Sequence, residues 1–222
     1  MSSSVSAAAP NAVAANKVIR HSAFDRAGHW LTAISVLVLL ATAFLPILGV
    51  EFDWVGIHWI TGLVLTTLVL VHVIRVLVFK PLRTMLIGVQ DLRDAVAVLR
   101  WNFRISADSP PKPGKYSLAQ KLIHHAFSVV VLTAITTGCL MLAKVDTPWW
   151  ERDPYFFSDA TWGIIYVLHG LAALLLITMI ITHVYFALRP EKLLYMRSML
   201  RGWITRQELE QHHDPDRWSV DQ

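Results

Sequence analysis

Four stretches of this chain are long and apolar enough to cross a hydrocarbon core of roughly 30 Å. They run from Gly28 to Leu48, Val55 to Val78, Leu122 to Ala143 and Thr161 to Leu188, and Arg75 is their one formal charge. The rest of the composition agrees. Of 222 residues, 55% are hydrophobic and 16% charged, a balance too apolar for an ordinary soluble domain. Trp30, Trp54, Trp59, Trp149, Trp150 and Trp162 stand near span edges, as aromatic belts require. The predicted fold is all-α: an integral membrane four-helix bundle with a cytoplasmic amphipathic helix and a C-terminal tail.

The net charge of +4 reads as a topology signal rather than as a nucleic-acid surface. Between Lys80 and Lys121 lie eight basic residues (Lys80, Arg83, Arg93, Arg100, Arg104, Lys112, Lys115, Lys121) against Asp91, Asp94 and Asp108. Lys17, Arg20 and Arg26 precede the first span, and Arg189, Lys192, Arg197, Arg201 and Arg206 follow the last. The other two connections are mainly acidic, with Glu51 and Asp53 in one and Asp146, Glu151, Asp153 and Asp159 in the other. The positive-inside rule therefore puts both termini and the long middle loop on the cytoplasmic side of the membrane.

Residues 1–16, rich in Ser and Ala, lack the basic-then-apolar order of a secretory signal and are expected to form a disordered cytoplasmic arm. Residues 17–190 are expected to form the four-span domain and 191–222 a cytoplasmic tail. In the middle loop, Leu82, Met85, Leu86, Val89, Leu92, Val96 and Leu99 recur at helical steps while Arg83, Gln90, Arg93 and Arg100 fall off that stripe. This pattern predicts a helix lying in the membrane interface, ended by the proline-rich run Ser109 to Gly114. Beyond Arg189 the helix of span four can extend toward His212-His213. The single cysteine, Cys139, excludes an internal disulfide and a cysteine-ligated iron–sulfur cluster.

The chemistry lies in the histidines. His58 and His72 share one span, and His169 and His183 another, each pair fourteen residues apart. That spacing puts both rings on one helix face, about 40° out of register and roughly 21 Å apart. Such a pair cannot hold one metal ion, but each ring can bind a different haem iron, one toward either side of the membrane. A lone membrane histidine is often only bonded to a neighbouring backbone or hydroxyl, but intramembrane ionisable groups are costly and usually functional. Following the topology, His58 and His169 lie at the same outer depth. His183 lies at the inner depth, with either His29 or His72 to complete its site. Zinc is a weaker reading, because no three or four ligands share a depth with characteristic spacings. His124 and His125 are adjacent and point in different directions, and His212 and His213 lie in a polar tail.

These residues carry a family resemblance. Arg26-Ala27-Gly28-His29-Trp30, Ile57-His58-Trp59-Ile60-Thr61-Gly62, Leu168-His169 and Thr182-His183-Val184-Tyr185 resemble the cytochrome b (gamma) subunits of respiratory formate dehydrogenases. So does the tail from Met196 to Thr205 with His212-His213 and Trp218. The resemblance covers roughly Val18 to Trp218, and its histidine set is shared with hydrogenase cytochrome b and other four-helix di-haem cytochromes. It implies two b-type haems, with His58 and His169 on the outer iron and His29 and His183 on the inner, leaving His72 as an extra. Arg75, one turn beyond His72, is a candidate propionate partner.

The resemblance also implies a quinone site where the family carries Lys-aromatic-Asn-x-Gly-Gln-Lys. Here the segment reads Lys115-Tyr116-Ser117-Leu118-Ala119-Gln120-Lys121, with Ser117 and Ala119 in place of the asparagine and glycine. The function so implied is a membrane anchor that passes electrons between an extracytoplasmic iron–sulfur subunit, fed by a catalytic dehydrogenase subunit, and membrane quinone. Substrate oxidation itself has no site in this chain. Two other classes remain: a stand-alone di-haem cytochrome taking electrons from a diffusible donor, and a haem-free anchor or transporter whose histidines serve packing or proton transfer.

Overall fold

The computed structural model describes residues 16–79 and 84–218. Residues 1–15 of the expected N-terminal arm, together with Leu82 of the amphipathic stripe and Arg83 beside it, lie outside the described residues. Four helices are long and apolar enough to cross a membrane: α1 (Ala23–Phe44), α2 (Trp54–Phe79), α4 (Leu118–Met141) and α5 (Asp159–Leu188). Between α2 and α4 lies α3 (Val89–Asn102), and after α5 come α6 (Leu193–Arg201) and α7 (Arg206–His212). Two three-residue strands, β1 (Lys17–Ile19) and β2 (Trp203–Thr205), complete the set.

Three boundaries differ from the sequence reading. The first helix stops at Phe44 rather than Leu48, because Pro46 cannot continue the ladder and Gly49 turns the chain with φ of 86°. The amphipathic helix begins only at Val89, after Gly88 as N-cap, so Met85 and Leu86 precede it. The last span does not run on toward His212. It ends at Leu188, and Pro190 opens a short 3-10 turn before α6.

The contacts divide the chain into two compact units. One comprises residues 27–79 and 122–186. Its core is Val36, Leu65 and Leu176, with Leu39, Val69, Phe127, Val131 and Ile180 packed against them. Leu65 stands seven residues from both His58 and His72, and Leu176 seven from both His169 and His183. Seven residues are close to two turns, so each leucine lies on the histidine side of its helix, about 10 Å from either ring-bearing position. An apolar layer thus lies between two histidine layers. At one end of this unit, Trp162 is buried, donates its indole N–H to the Pro154 carbonyl at 3.0 Å, and lies under the Lys144 ammonium at 4.5 Å. That anchors the loop before α5.

The second unit comprises residues 16–26, 84–121 and 187–218. β1 and β2 pair antiparallel, with Val18 opposite Ile204. Val18, Ile204, Leu209 and Trp218 form its apolar core. Gly202 ends α6 in the left-handed region (φ 92°), and its carbonyl accepts from the Arg20 and His21 amides at 2.8 and 3.1 Å. α7 opens on a capping box: the Thr205 hydroxyl accepts from the Glu208 amide, while the Glu208 carboxylate accepts from the Thr205 amide. That carboxylate also pairs with Arg197.

Arg20 and His213 form the polar junction of this unit, and both are almost fully buried. Arg20 donates through Nη1 to His213 Nε2 at 3.0 Å and through Nη2 to the Lys115 carbonyl at 2.8 Å. A guanidinium only donates, so Nε2 must be the unprotonated nitrogen, and Nδ1–H donates to the Gly114 carbonyl at 2.7 Å. Tyr116, Tyr195 and Trp218 surround the guanidinium at 5.6, 4.8 and 5.1 Å, within cation–π range. Gly114 is required here, since a Cβ would sit 2.6 Å from the Arg217 carbonyl oxygen. Gly114→Ala is therefore expected to destabilise the junction by about 1–3 kcal/mol, read as faster amide exchange over residues 112–116 and 210–218.

Burial lowers the His213 pKa from 6.5 to about 4, with the Arg20 charge adding to the effect and the Gly114 bond opposing it. Below pH 6.5 the unfolded tail takes up a proton that the folded junction refuses until about pH 4. The junction is at full strength above that window and weakens as pH falls through it. Protection factors of residues 210–218 should drop between about pH 7.5 and pH 5, and His213→Gln should remove most of that pH dependence.

Candidate functional site

The histidines meet in pairs across the helices. His58 of α2 and His169 of α5, the pair expected on the outer side, have ring centres 6.2 Å apart with planes at 67°. Each is held from behind by a threonine: Thr42 Oγ1 lies 2.8 Å from His58 Nδ1, and Thr137 Oγ1 lies 2.8 Å from His169 Nδ1. Both hydroxyls also reach back to their own helix, Thr42 to the Val38 carbonyl at 2.9 Å and Thr137 to the Thr133 carbonyl at 2.7 Å. A hydroxyl has one proton, and a carbonyl oxygen can only accept. Both threonines therefore donate to backbone and accept from the imidazole, which fixes the proton on Nδ1. Nε2 of each ring is left with an open lone pair, the form that binds a metal. Gly138 lets the second ring lie close to α4, since a Cβ there would come within 3.3 Å of His169 Cε1.

The second layer pairs His29 of α1 with His183 of α5, ring centres 6.4 Å apart. Phe127 stands edge-on to His183 at 5.8 Å, and Trp30 stands edge-on to His29 at 5.2 Å. Sequence depth offered either His29 or His72 as the partner of His183. In the structure His29 faces His183, while His72 lies against His124 at 6.3 Å and His124 against His125 at 5.8 Å. Arg75 lies one turn beyond His72 on α2, half-buried. Among the described residues, no group of three or more His, Cys, Asp or Glu side chains is arranged to hold a metal ion.

Residues 20–202 match the family described as prokaryotic cytochrome b561. The chain belongs to that family. Among its relatives, the formate dehydrogenase cytochrome b556(fdo) subunit of Escherichia coli K12 is 26% identical over 212 residues, covering 90% of this chain and 91% of that protein. The nitrate-inducible formate dehydrogenase cytochrome b556(Fdn) subunit of the same strain is 24% identical over 218 residues, covering 90% and 89%. An Fdn subunit from Shigella flexneri matches to the same extent. A prokaryotic cytochrome b561 with four candidate spans is a multi-pass membrane protein related to formate dehydrogenase cytochrome subunits, and its family implies b-type haem and electron transfer.

The paired rings fit such a group. Two imidazoles that would hold a haem iron between them must be neutral rings, each with an open nitrogen. With imidazole nitrogen–metal bonds of about 2 Å, the ring centres fall about 6 Å apart. The His58–His169 pair has both properties, and His29–His183 has the spacing. Sequence reasoning did not find Thr42 or Thr137. Their one signal was a polar residue within an apolar run, and many membrane threonines only bond back to their own helix.

The segment likened to a quinone site opens α4. The Ser117 amide donates to Gln120 Oε1 at 3.0 Å, and the Gln120 amide donates to Ser117 Oγ at 3.4 Å, a reciprocal cap. Ala119 lies between them on the first turn. The Gln120 side-chain NH2 takes no part in that cap. One residue on, buried Lys121 binds both Asp91 carboxylate oxygens at 2.9 Å and the Leu86 carbonyl at 3.0 Å. Burial pushes the Asp91 pKa up, but the Gly88 amide and the Lys121 ammonium outweigh it and hold it below the ordinary carboxylate value.

Proposed function

We propose that this chain is the membrane-anchoring di-haem cytochrome b subunit of a formate dehydrogenase-like complex. It passes electrons between an extracytoplasmic iron–sulfur subunit and membrane quinone, and the catalytic dehydrogenase subunit lies elsewhere in the complex. The observation that carries this reading is the two layers of facing histidines, one of them already held by threonines in the metal-binding tautomer. The names of the relatives, which cover about nine-tenths of the chain, support the choice of complex.

In this reading His58 and His169 hold the outer b haem, and His29 and His183 the inner. When bound, haem supplies one-electron exchange at its iron. The chain's own contribution is to fix four imidazoles at two depths, separated by the apolar layer of Val36, Leu65 and Leu176, and to tune them from behind. Thr42 and Thr137 keep Nδ1 protonated and raise the basicity of Nε2. Arg75 is assigned to an inner propionate. Ser117, Ala119 and Gln120 are assigned to the quinone, with the Gln120 amide as hydrogen-bond donor to a carbonyl. The exposed loop aromatics Trp149, Tyr155 and Phe156 are assigned to contact with the partner subunit.

Reduced-minus-oxidised spectra of the purified chain test this, with about two low-spin b haems per protein as the expected result. His169→Ala should remove one haem and His183→Ala the other, while His72→Ala retains both. A haem-free protein from haem-sufficient cells would overturn the reading. A partner-free protein that reduces quinone from a soluble donor would replace the complex with a stand-alone cytochrome. Thr42→Val or Thr137→Val is expected to weaken haem retention about 10–100-fold at the His58–His169 layer alone, measured by haem transfer to an apo-globin acceptor.

A further inference from the structure

α3 is mounted with its polar side against its own unit and its apolar side exposed. Asp94 and Asp91 lie on the far side of the stripe and are tied down, Asp91 by Lys121 and Asp94 by Arg217. The stripe itself is open: Val89 is 67% exposed, Leu92 55%, Val96 54%, Leu99 54% and Phe103 73%. Arg93 and Arg100 flank it along one edge, both exposed. At a hundred degrees per residue the five apolar residues span a narrow arc, with the two arginines just outside it.

Two further features bear on what such a face binds. Lys121, which fixes Asp91, belongs to the first turn of α4, whose later turns are apolar enough to cross a membrane. α3 is therefore tied to the first turn of a candidate membrane-crossing helix. At the other end, Arg104 adopts the left-handed conformation (φ 57°) normally left to glycine. The Ile105 amide then closes the helix on the Arg100 carbonyl at 2.7 Å. Exposed Arg104 thus stands at a strained position, with exposed Phe103 and Ile105 as its chain neighbours. With Trp101, Asn102, Ser106 and Ala107 it lines a shallow, open depression of the surface.

We propose that α3 and its C-terminal turn form a binding platform for anionic phospholipid. The stripe from Val89 to Phe103 seats among acyl chains, and Arg93, Arg100 and Arg104 take headgroup phosphates. An interfacial helix gains both from buried apolar area and from the attraction of its basic residues to anionic lipid. The inference stands apart from the haem assignment, because it uses no residue of either histidine layer.

The test compares the full chain in nanodiscs of phosphatidylcholine alone with discs in which about a third of the lipid is phosphatidylglycerol, at about 0.15 M salt. Amide exchange over residues 89–106 is expected to slow at least several-fold in the anionic discs. The triple variant Arg93→Gln, Arg100→Gln, Arg104→Gln should lose that difference while retaining its haem spectrum. Equal exchange in the two kinds of disc would overturn the proposal. So would slowing by inorganic phosphate in neutral discs, which would make the ligand a free ion. Protection that arises only when partner subunits bind would make the stripe a protein interface and equally overturn it.

Discussion

A neutral imidazole has one donor and one acceptor, and in an apolar interior the group bonded to one nitrogen decides what the other can do. Thr42 and Thr137 determine that choice at the His58–His169 layer. Each hydroxyl gives its only proton to a carbonyl of its own helix, so each ring must donate from Nδ1. Two open Nε2 lone pairs on rings 6.2 Å apart would gain little from each other and much from a shared electrophile. The other features of this unit serve that arrangement. Gly138 admits one ring against α4, and the Val36–Leu65–Leu176 layer sets the separation from the second pair.

The second unit solves a different problem, which is to bury a cation without a carboxylate. Arg20 is surrounded by three aromatic rings and bonded to a neutral histidine and a backbone carbonyl. This works because a guanidinium is weakly hydrated and stacks on aromatic faces, although burial still lowers its pKa from the ordinary arginine value. Through this junction the β1 segment, residues 113–116 and the end of the tail are held together. The Ser117–Gln120 cap follows directly in the chain, so the first turn of α4 starts from a fixed point. Its acidic and basic groups are matched locally as well, by Lys121 with Asp91, Arg217 with Asp94 and Arg197 with Glu208.

Helical periodicity and apolar length made the four long helices legible, because an uninterrupted apolar run of twenty or more residues has few other stable forms. The shared faces of His58 with His72 and of His169 with His183 were equally legible, being a property of helix pitch alone. Helix ends were read less well. Pro46, Gly88 and Pro190 each stop or delay a helix that hydropathy would carry further. The β1–β2 pair was not anticipated, since Lys17–Ile19 and Trp203–Thr205 are three-residue segments nearly the whole chain apart. Their alternation becomes meaningful only once they are side by side.

The sequence by itself determined that this chain is a four-span helical membrane protein with histidines at two depths. Apolar run length and an angular period of 3.6 residues are local quantities, and both are written in the order of residues. Which histidine faces which was decided only by the tertiary structure. His29 and His72 share a depth, and the azimuth of their helices in the bundle brings one to His183 and the other to His124. Tertiary structure likewise chose the imidazole tautomers, through threonines on neighbouring helices, and turned the acidic side of α3 inward. Those outcomes depend on distances between residues far apart in the chain, which no local pattern encodes.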